Sequence, residues 1–298
     1  MTGTATFEDI KARQQQTWSS GDYTKVAWLT VPVAEHLVEA VGLRPGSRVL
    51  DVATGTGHVA IAAARQFCEV TGIDYVPALL ATADRRAAAE GLTVDFREAD
   101  AERLPFPDGS FDTVLSSIGV MFTADHARAA DQLVRVCKPG GRVGIASWTP
   151  TGFIGRLLAT VGKHAAPPPG ALPPTRWGTE DGIRDLVGDR VAGLTFSTAT
   201  VTQRFPTPDY FADFFLTHYG PTRTAAERLS PDGRRALRDD LAALATTGNH
   251  ATDGTLAVDW DYLVAVARKP EHPASADRGA STATSPAAHE FPVQSTAG

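Results

Sequence analysis

The sequence predicts an α/β protein whose centre is a doubly wound, mostly parallel sheet. Three observations carry this reading. From Arg48 to Ser147, short apolar runs alternate with segments of helical periodicity, the pattern of strand-helix-strand units with right-handed crossovers. The first of those strands ends in a carboxylate, Asp51, and runs into Ala53-Thr54-Gly55-Thr56-Gly57, a turn where glycine lets a ligand approach the backbone. A helix opens directly after it, so free N–H groups and the positive end of its dipole face whatever lies over the turn. Strand, glycine turn and helix N-terminus make a nucleotide-type site.

Length and composition set bounds. A chain of 298 residues can bury one large core and a smaller subdomain. A net charge of −6 leaves no basic footprint for nucleic acid. Met1 to Gln16 is polar and lacks the apolar region of a signal peptide. No apolar run approaches the roughly 18 residues that span a bilayer. Cys68 and Cys137 lie outside any metal-type spacing and read as buried free thiols of a cytoplasmic protein.

In chain order, Phe7, Ile10, Gln14 and Trp18 share one face of an N-terminal helix, which Ser19-Ser20-Gly21-Asp22 breaks. Val31 to Val41 is a second helix, stopped by Gly42. Arg48 to Val52 is the first strand and Val59 to Gln66 its helix. Glu69 to Ile73 is a second strand ending at Asp74, followed by an Ala-rich helix from Pro77 to Glu90. Thr93 to Arg97 is a third strand, and Leu104 to Gly109 a loop. Phe111 to Ser117 is a fourth strand, and Asp125 caps a helix from His126 to Cys137. Lys138-Pro139-Gly140-Gly141 is a sharp turn into a fifth strand, Arg142 to Ser147.

After Trp148 the rhythm changes. Phe153 to Val161 is amphipathic, and the prolines from Pro167 to Pro174 force an extended loop. Thr179 caps a helix through Leu186, and Leu194 to Phe205 alternates as a strand. Thr207-Pro208 opens a helix from Asp209 to Tyr219, stopped by Gly220. Ser230-Pro231 opens another to about Thr246, and Asp261 to Arg268 is the last strand. Beyond Lys269 the composition has little to bury and reads as a disordered tail.

Gly55-x-Gly57-x-x-Ala60 with Asp74 about 20 residues on also fits a dinucleotide fingerprint. Against that, Asp51 would repel a pyrophosphate over the turn but suits a ligand carrying an ammonium or sulfonium. Ala53 stands where the first glycine is expected. Asp100 follows the third strand, and the Lys138-Pro139-Gly140-Gly141 turn precedes the fifth.

With these motifs the chain resembles the class I S-adenosylmethionine-dependent methyltransferases. It is similar to the branch of the ubiquinone/menaquinone-biosynthesis C-methyltransferases and many actinobacterial small-molecule methyltransferases. The resembling residues are Asp51 to Gly57, Gly72-Ile73-Asp74, Asp100-Ala101-Glu102 with Leu104-Pro105-Phe106, Ser110-Phe111-Asp112 and Arg135 to Gly141. The resemblance implies a seven-stranded Rossmann-like sheet with helical cap elements. It divides the chain into an N-terminal segment or lid (1–30), a cofactor-binding core (31–148), a C-terminal part of the sheet with cap helices (149–269) and the tail (270–298).

His126, His164, His218 and His250 lack metal-ligand spacing with acids, so no metal is expected. The resemblance also implies S-adenosyl-L-methionine as cofactor and a role for each matching residue. Ala53, Thr54, Gly55, Thr56 and Gly57 pack against its methionine part and ribose, and Asp51 holds the amino-acid end. Asp74 accepts from both ribose hydroxyls, which a two-oxygen carboxylate suits. Tyr75 lies on the adenine face, Asp100 accepts from the adenine amino group, Ala101 adds a backbone contact and Ser117 lines the sulfonium side.

Structural readings stand beside these. Asp51 and Asp74 can cap the following turn and helix, Asp100 can be an ordinary loop acid, and Ser117 can be packing. His58 reads as packing or solvent-exposed, and Asp131 with Arg135 as a solvated face. A small-molecule acceptor is the expected partner, with no nucleic acid and no membrane; a homodimer is left open. The acceptor pocket is sought at Trp18, Tyr23, Ile118, Met121 and the aromatic stripe Phe211, Phe214, Phe215, His218. That stripe is either core or an apolar lid with His218 or Tyr219 as base. A lid would imply an apolar, aromatic or polyketide-like acceptor rather than a protein or nucleic acid. The alternatives are an enzyme of this fold with non-methylating chemistry, an NAD-dependent oxidoreductase, and a catalytically silent module.

Overall fold

The computed structural model describes residues 6–20, 22–167 and 170–271. The chain opens with α1 (Phe7–Trp18), α2 (Tyr23–Ala27), a 3-10 turn (Trp28–Thr30) and α3 (Val31–Val41). The central units are β1 (Arg48–Val52), α4 (His58–Arg65), β2 (Glu69–Asp74), α5 (Pro77–Ala89), β3 (Asp95–Glu98), β4 (Phe111–Ser117), α6 (His126–Val136) and β5 (Cys137–Trp148). The C-terminal part adds α7 (Phe153–His164), α8 (Glu180–Val187), β6 (Gly193–Phe205), α9 (Pro208–His218), α10 (Gly220–Glu227), α11 (Pro231–Gly248) and β7 (Leu256–Arg268).

Among the described residues seven strands form one sheet, in the order β3-β2-β1-β4-β5-β7-β6. Strands β1 to β5 are parallel, and β7 runs antiparallel to both β5 and β6. This is the predicted doubly wound, mostly parallel sheet with helices around it. The crossover through α4 runs from β1 toward one edge, and that through α6 runs from β4 toward the other. Right-handedness therefore puts α4 and α6 on opposite faces. Strand β1 is central, and Val49, Leu50 and Val52 are fully buried, as expected of a strand covered on both faces. The order of connection reverses between β1 and β4, so a crevice opens outside their carboxyl ends.

Several expectations need correction. Helix α9 ends at His218 with Tyr219 as its cap, close to the expected end, but Gly220 is no simple stop: it starts α10, with Pro221 in the first turn, and its backbone lies against the Thr17 carbonyl, where a Cβ would sit 2.3 Å away. Strand β3 begins at Asp95 rather than Thr93, and β7 begins at Leu256, five residues early, because Leu256 pairs with Phe205 at the end of β6. The Lys138 to Gly141 turn is a bulge within β5, across which the register jumps from Phe111↔Cys137 to Thr113↔Arg142. Asp112 fills that irregularity, accepting from the Arg48 backbone N–H and from Lys138 Nζ, both at 2.8 Å. Arg135 is no solvated group. Its guanidinium donates to the Leu104 and Phe106 carbonyls and pins the 104–108 loop.

Lys269 Nζ donates to the Val134 and Cys137 carbonyls, and Gly140 N–H to the Lys269 and Pro270 carbonyls. Pro270 and Glu271 are thus placed on the fold, which moves the start of the expected tail; residues 272–298 lie outside the described residues. Cys68 and Cys137 are buried free thiols.

Candidate functional site

The site begins where β1 ends. Asp51 pairs with Gly72 of β2 and Leu115 of β4, so it stands at the switch point. The chain then leaves the sheet through Ala53 and Gly55, both at φ +55°, and enters α4 through Gly57 at φ +85°. Gly57 is required on two counts: its φ is left-handed, and a Cβ there would lie 3.0 Å from the Ala83 Cβ and 3.2 Å from the Phe96 ring. Ala53 holds a conformation that a side chain disfavours.

Two buried carboxylates flank this turn. Asp51 is 1% exposed; its Oδ2 accepts from the Thr54 hydroxyl at 2.5 Å and the Ala60 N–H at 3.0 Å. Asp74 is 5% exposed; its two oxygens accept from the Gly55 and Val76 N–H groups, each at 2.9 Å. Both carboxylates therefore make the capping contacts that a purely structural role requires. They also lack a partner cation among the described residues. Burial pushes Asp51 up to about 7 and Asp74 up to about 6.

Asp100 is different. Its Oδ2 takes the Lys11 ammonium of α1 at 2.8 Å, and Lys11 also reaches Glu102 Oε2 at 2.8 Å. Burial works against the Lys11 charge, but the two carboxylates outweigh it and raise its pKa. Glu102 is itself buried and accepts from the Ala124 and Asp125 N–H groups. Gln15 Nε2 donates to the Tyr75 carbonyl at 2.6 Å. Helix α1 is thus tied across the carboxyl ends of β2 and β3.

Two clefts flank the turn. One, of about 610 Å³, is lined by Asp74, Tyr75, Val76, Leu79, Asp100 and Ala101, with Lys11 and Glu102. Trp18, Tyr23, Ile118, Gly119 and Phe122 line it as well. The second, of about 380 Å³, is lined by Asp51, Thr54, Thr56, His58, Thr30 and Ser117. Tyr23, Ala53, Gly55 and Ile118 line both.

The structure therefore gathers Asp51, Ala53, Thr54, Gly55, Thr56, Asp74, Tyr75, Asp100, Ala101 and Ser117 around one pair of clefts, with Gly57 just behind the turn. Trp18 and Tyr23 join them. Trp18 makes edge contacts with Tyr23 at 5.3 Å, Phe122 at 4.9 Å and Tyr219 at 5.9 Å. His58 is neutral: burial and the Arg86 guanidinium push it down to about 3.

Other candidates lie elsewhere. Met121 is fully buried and lines neither cleft. Phe214 packs on Phe205, Phe215 and His218, and Phe211 on Phe153 and Phe205, so the stripe is core. His218 follows Phe214 by one helical turn and faces Lys25 and Asp22, outside both clefts. Tyr219 is buried beside Trp18, and burial raises its phenol far above neutral pH, which unsuits it as a base. Lys11, Gln15, Glu102, Gly119 and Phe122 entered no assigned role. Only Glu102 carried a signal, its place in the Asp100-Ala101-Glu102 motif.

A family model described as a methyltransferase domain matches residues 49–141. An uncharacterized protein of Mycobacterium tuberculosis is 40% identical over 272 residues, covering 88% of this chain and 98% of that one. A demethylmenaquinone methyltransferase of Thermus thermophilus is 47% identical over 105 residues, 35% of this chain and 48% of that one. Among solved structures, a Haemonchus contortus phosphoethanolamine N-methyltransferase bound to phosphomonomethylethanolamine and S-adenosylhomocysteine covers 90% of this chain and 61% of its own. Its TM-score is 0.57 at 18% identity, a likeness of fold. A putative methyltransferase of Bacillus halodurans covers 80% of this chain and 98% of its own, with TM-score 0.54 at 22% identity.

Proposed function

Because the chain belongs to the class I S-adenosylmethionine-dependent methyltransferases, we propose that it transfers the methyl group to a small, apolar or aromatic metabolite. The observation that carries the site reading is the pair of clefts joined over Ala53 and Gly55, one holding the buried Asp51 and the other the buried Asp74, neither of which has a side-chain cation on it among the described residues. The residues fit the cofactor. An ammonium and a sulfonium supply the positive charge that Asp51 and Asp74 lack, and a pyrophosphate would be repelled there. Above Gly55 the backbone is open to ligand: the nearest atom to a Cβ there would be Tyr23 Cε1, at 3.9 Å.

In this reading Asp51 holds the amino-acid end in the smaller cleft, next to Thr54, Thr56 and Ser117. Asp74 keeps two N–H bonds that fix its carboxylate and offers its remaining lone pairs to the ribose hydroxyls. Tyr75, Val76 and Leu79 line the adenine end, with Asp100 and Ala101 at its edge. Lys11 already occupies one oxygen of Asp100, so the adenine amino group shares that carboxylate with the ammonium. Bound cofactor supplies an activated methyl group, so the protein's task is alignment and exclusion of water. Trp18, Tyr23 and Phe122, in edge contact with one another through Trp18, supply an apolar wall to the larger cleft, which favours a flat aromatic acceptor. No helix among the described residues is long and apolar enough to cross a membrane. The buried free thiols suit a reducing cytoplasm.

The test is to incubate the protein with a metabolite extract and methyl-labelled S-adenosylmethionine, then identify labelled products by mass. A labelled aromatic small molecule supports the reading. Label found only in protein or nucleic acid overturns the acceptor class.

A further inference from the structure

We propose that Ile118 is a positioning residue for the methyl transfer, bounding the space in which the sulfonium is held; this rests on the cofactor reading above. Four residues line both clefts, and these four form the neck between them: Tyr23, Ala53, Gly55 and Ile118. A ligand with its adenosyl half against Asp74 and Asp100 and its amino-acid half against Asp51 must run through that neck. In S-adenosylmethionine the sulfur is the atom that joins those halves. With the two halves so placed, covalent structure puts the sulfonium at the neck, next to Ile118.

The backbone at this point is unusual. Ile118 has φ +53°, a left-handed conformation in which a β-branched residue is a genuine outlier. The local cause is visible. Ser117 still pairs with Ala146 on β5, and the Ile118 N–H continues to the Ala146 carbonyl at 2.8 Å. The next residue is pressed onto the turn after β1: a Cβ on Gly119 would lie 2.8 Å from the Ala53 Cβ and 2.9 Å from the Ala53 carbonyl oxygen. Ser116 ties the same loop down, donating its hydroxyl to the Val52 carbonyl and accepting from the Val120 N–H. The chain must reverse between these fixed points, and the reversal falls on residue 118. Glycine would meet that φ without strain, yet the chain places an isoleucine there that is only 8% exposed. The side chain is what the strain retains: an apolar, stiff wall at the neck.

S-Adenosylmethionine and S-adenosylhomocysteine differ by the methyl on that sulfur, so their affinity ratio reads the neck without any acceptor. Titration calorimetry of Ile118→Ala is expected to weaken S-adenosylmethionine by about fivefold or more through lost packing, with S-adenosylhomocysteine changed less than about twofold. A merely structural role moves both ligands together, or lowers the melting temperature and leaves the ratio alone; either result overturns the proposal. If Ile118→Ala fails to fold, Ile118→Val keeps the β-branch and removes one methyl, and the same ratio is expected to move in the same direction. An unmoved ratio in Ile118→Val is then the overturning result. If the wild-type protein binds both ligands and the ratio is insensitive, this proposal alone fails. If it binds neither, the cofactor reading fails and this proposal with it.

Discussion

With Asp51 and Asp74 in the roles proposed for them, cofactor binding is expected to depend on pH. Burial raises Asp51 to about 7 and Asp74 to about 6, against an ordinary aspartate value of 3.8. Keeping them ionised in the ligand-free fold costs on the order of 4 and 3 kcal/mol, at roughly 1.4 kcal/mol per pH unit between the ordinary and raised values. The sign follows from proton counting. Between the unfolded and folded values the folded chain holds protons that the unfolded chain has released, so stability falls as pH rises from about 4 to about 7. A cation bound beside these carboxylates favours their ionised forms, so affinity moves the opposite way and tightens as pH rises. If binding needs only Asp74 ionised, the Kd for S-adenosylmethionine tightens by about fourfold between about pH 5.5 and 7.5; if it needs Asp51 as well, by about 100-fold. Calorimetry across that range measures it, and Asp74→Asn should remove the Asp74 part. A Kd that is flat, or that tightens toward acid, refutes the assignment of these two carboxylates to a cationic ligand.

Gly119→Ala should lower stability by about 1–3 kcal/mol in thermal or urea unfolding, because its Cβ would press on the Ala53 Cβ and carbonyl. Lys269→Met should cost about 1–3 kcal/mol, since the ammonium satisfies the Val134 and Cys137 carbonyls at the end of α6. A chain ending at Pro273 keeps that contact and should melt within about a degree or two of full length. His218→Ala should leave both turnover and S-adenosylhomocysteine affinity unchanged, because His218 lines neither cleft; a loss of turnover alone would return it to the site. Lys11→Ala should speed S-adenosylhomocysteine release, by roughly tenfold in stopped flow, because it unties α1 from Asp100 and Glu102.

What the sequence made legible was what local chemistry dictates. Strand β1, the glycine turn and Asp74 each follow from a short pattern, and together they locate the clefts. The capping residues Asp125 and Thr179 were legible for the same reason. Lys11 was not: its partners lie 89 and 91 positions away, and nothing in an amphipathic helix says which lysine finds a carboxylate. Ile118 was named for its apolar side chain, but its left-handed backbone is imposed by Ala53, Ser116 and β5, and a β-branched residue argues locally against it. Gly220 read as a stop because glycine ends helices, whereas here Pro221 permits a new helix and the Thr17 carbonyl demands a bare backbone. The aromatic stripe of α9 was ambiguous by nature, since helical spacing selects a buried face without saying what it is buried against.

Asp74 is proposed to hold the ribose of S-adenosylmethionine and of its product in the larger cleft. Calorimetric titration of S-adenosylhomocysteine into the wild-type protein and into Asp74→Ala tests it most directly. The expected result is binding by the wild type and a loss of roughly 1.5–3 kcal/mol in the variant, the scale of hydrogen bonds to a charged group. Equal affinity in the two proteins, or no binding by the folded wild type, would contradict it.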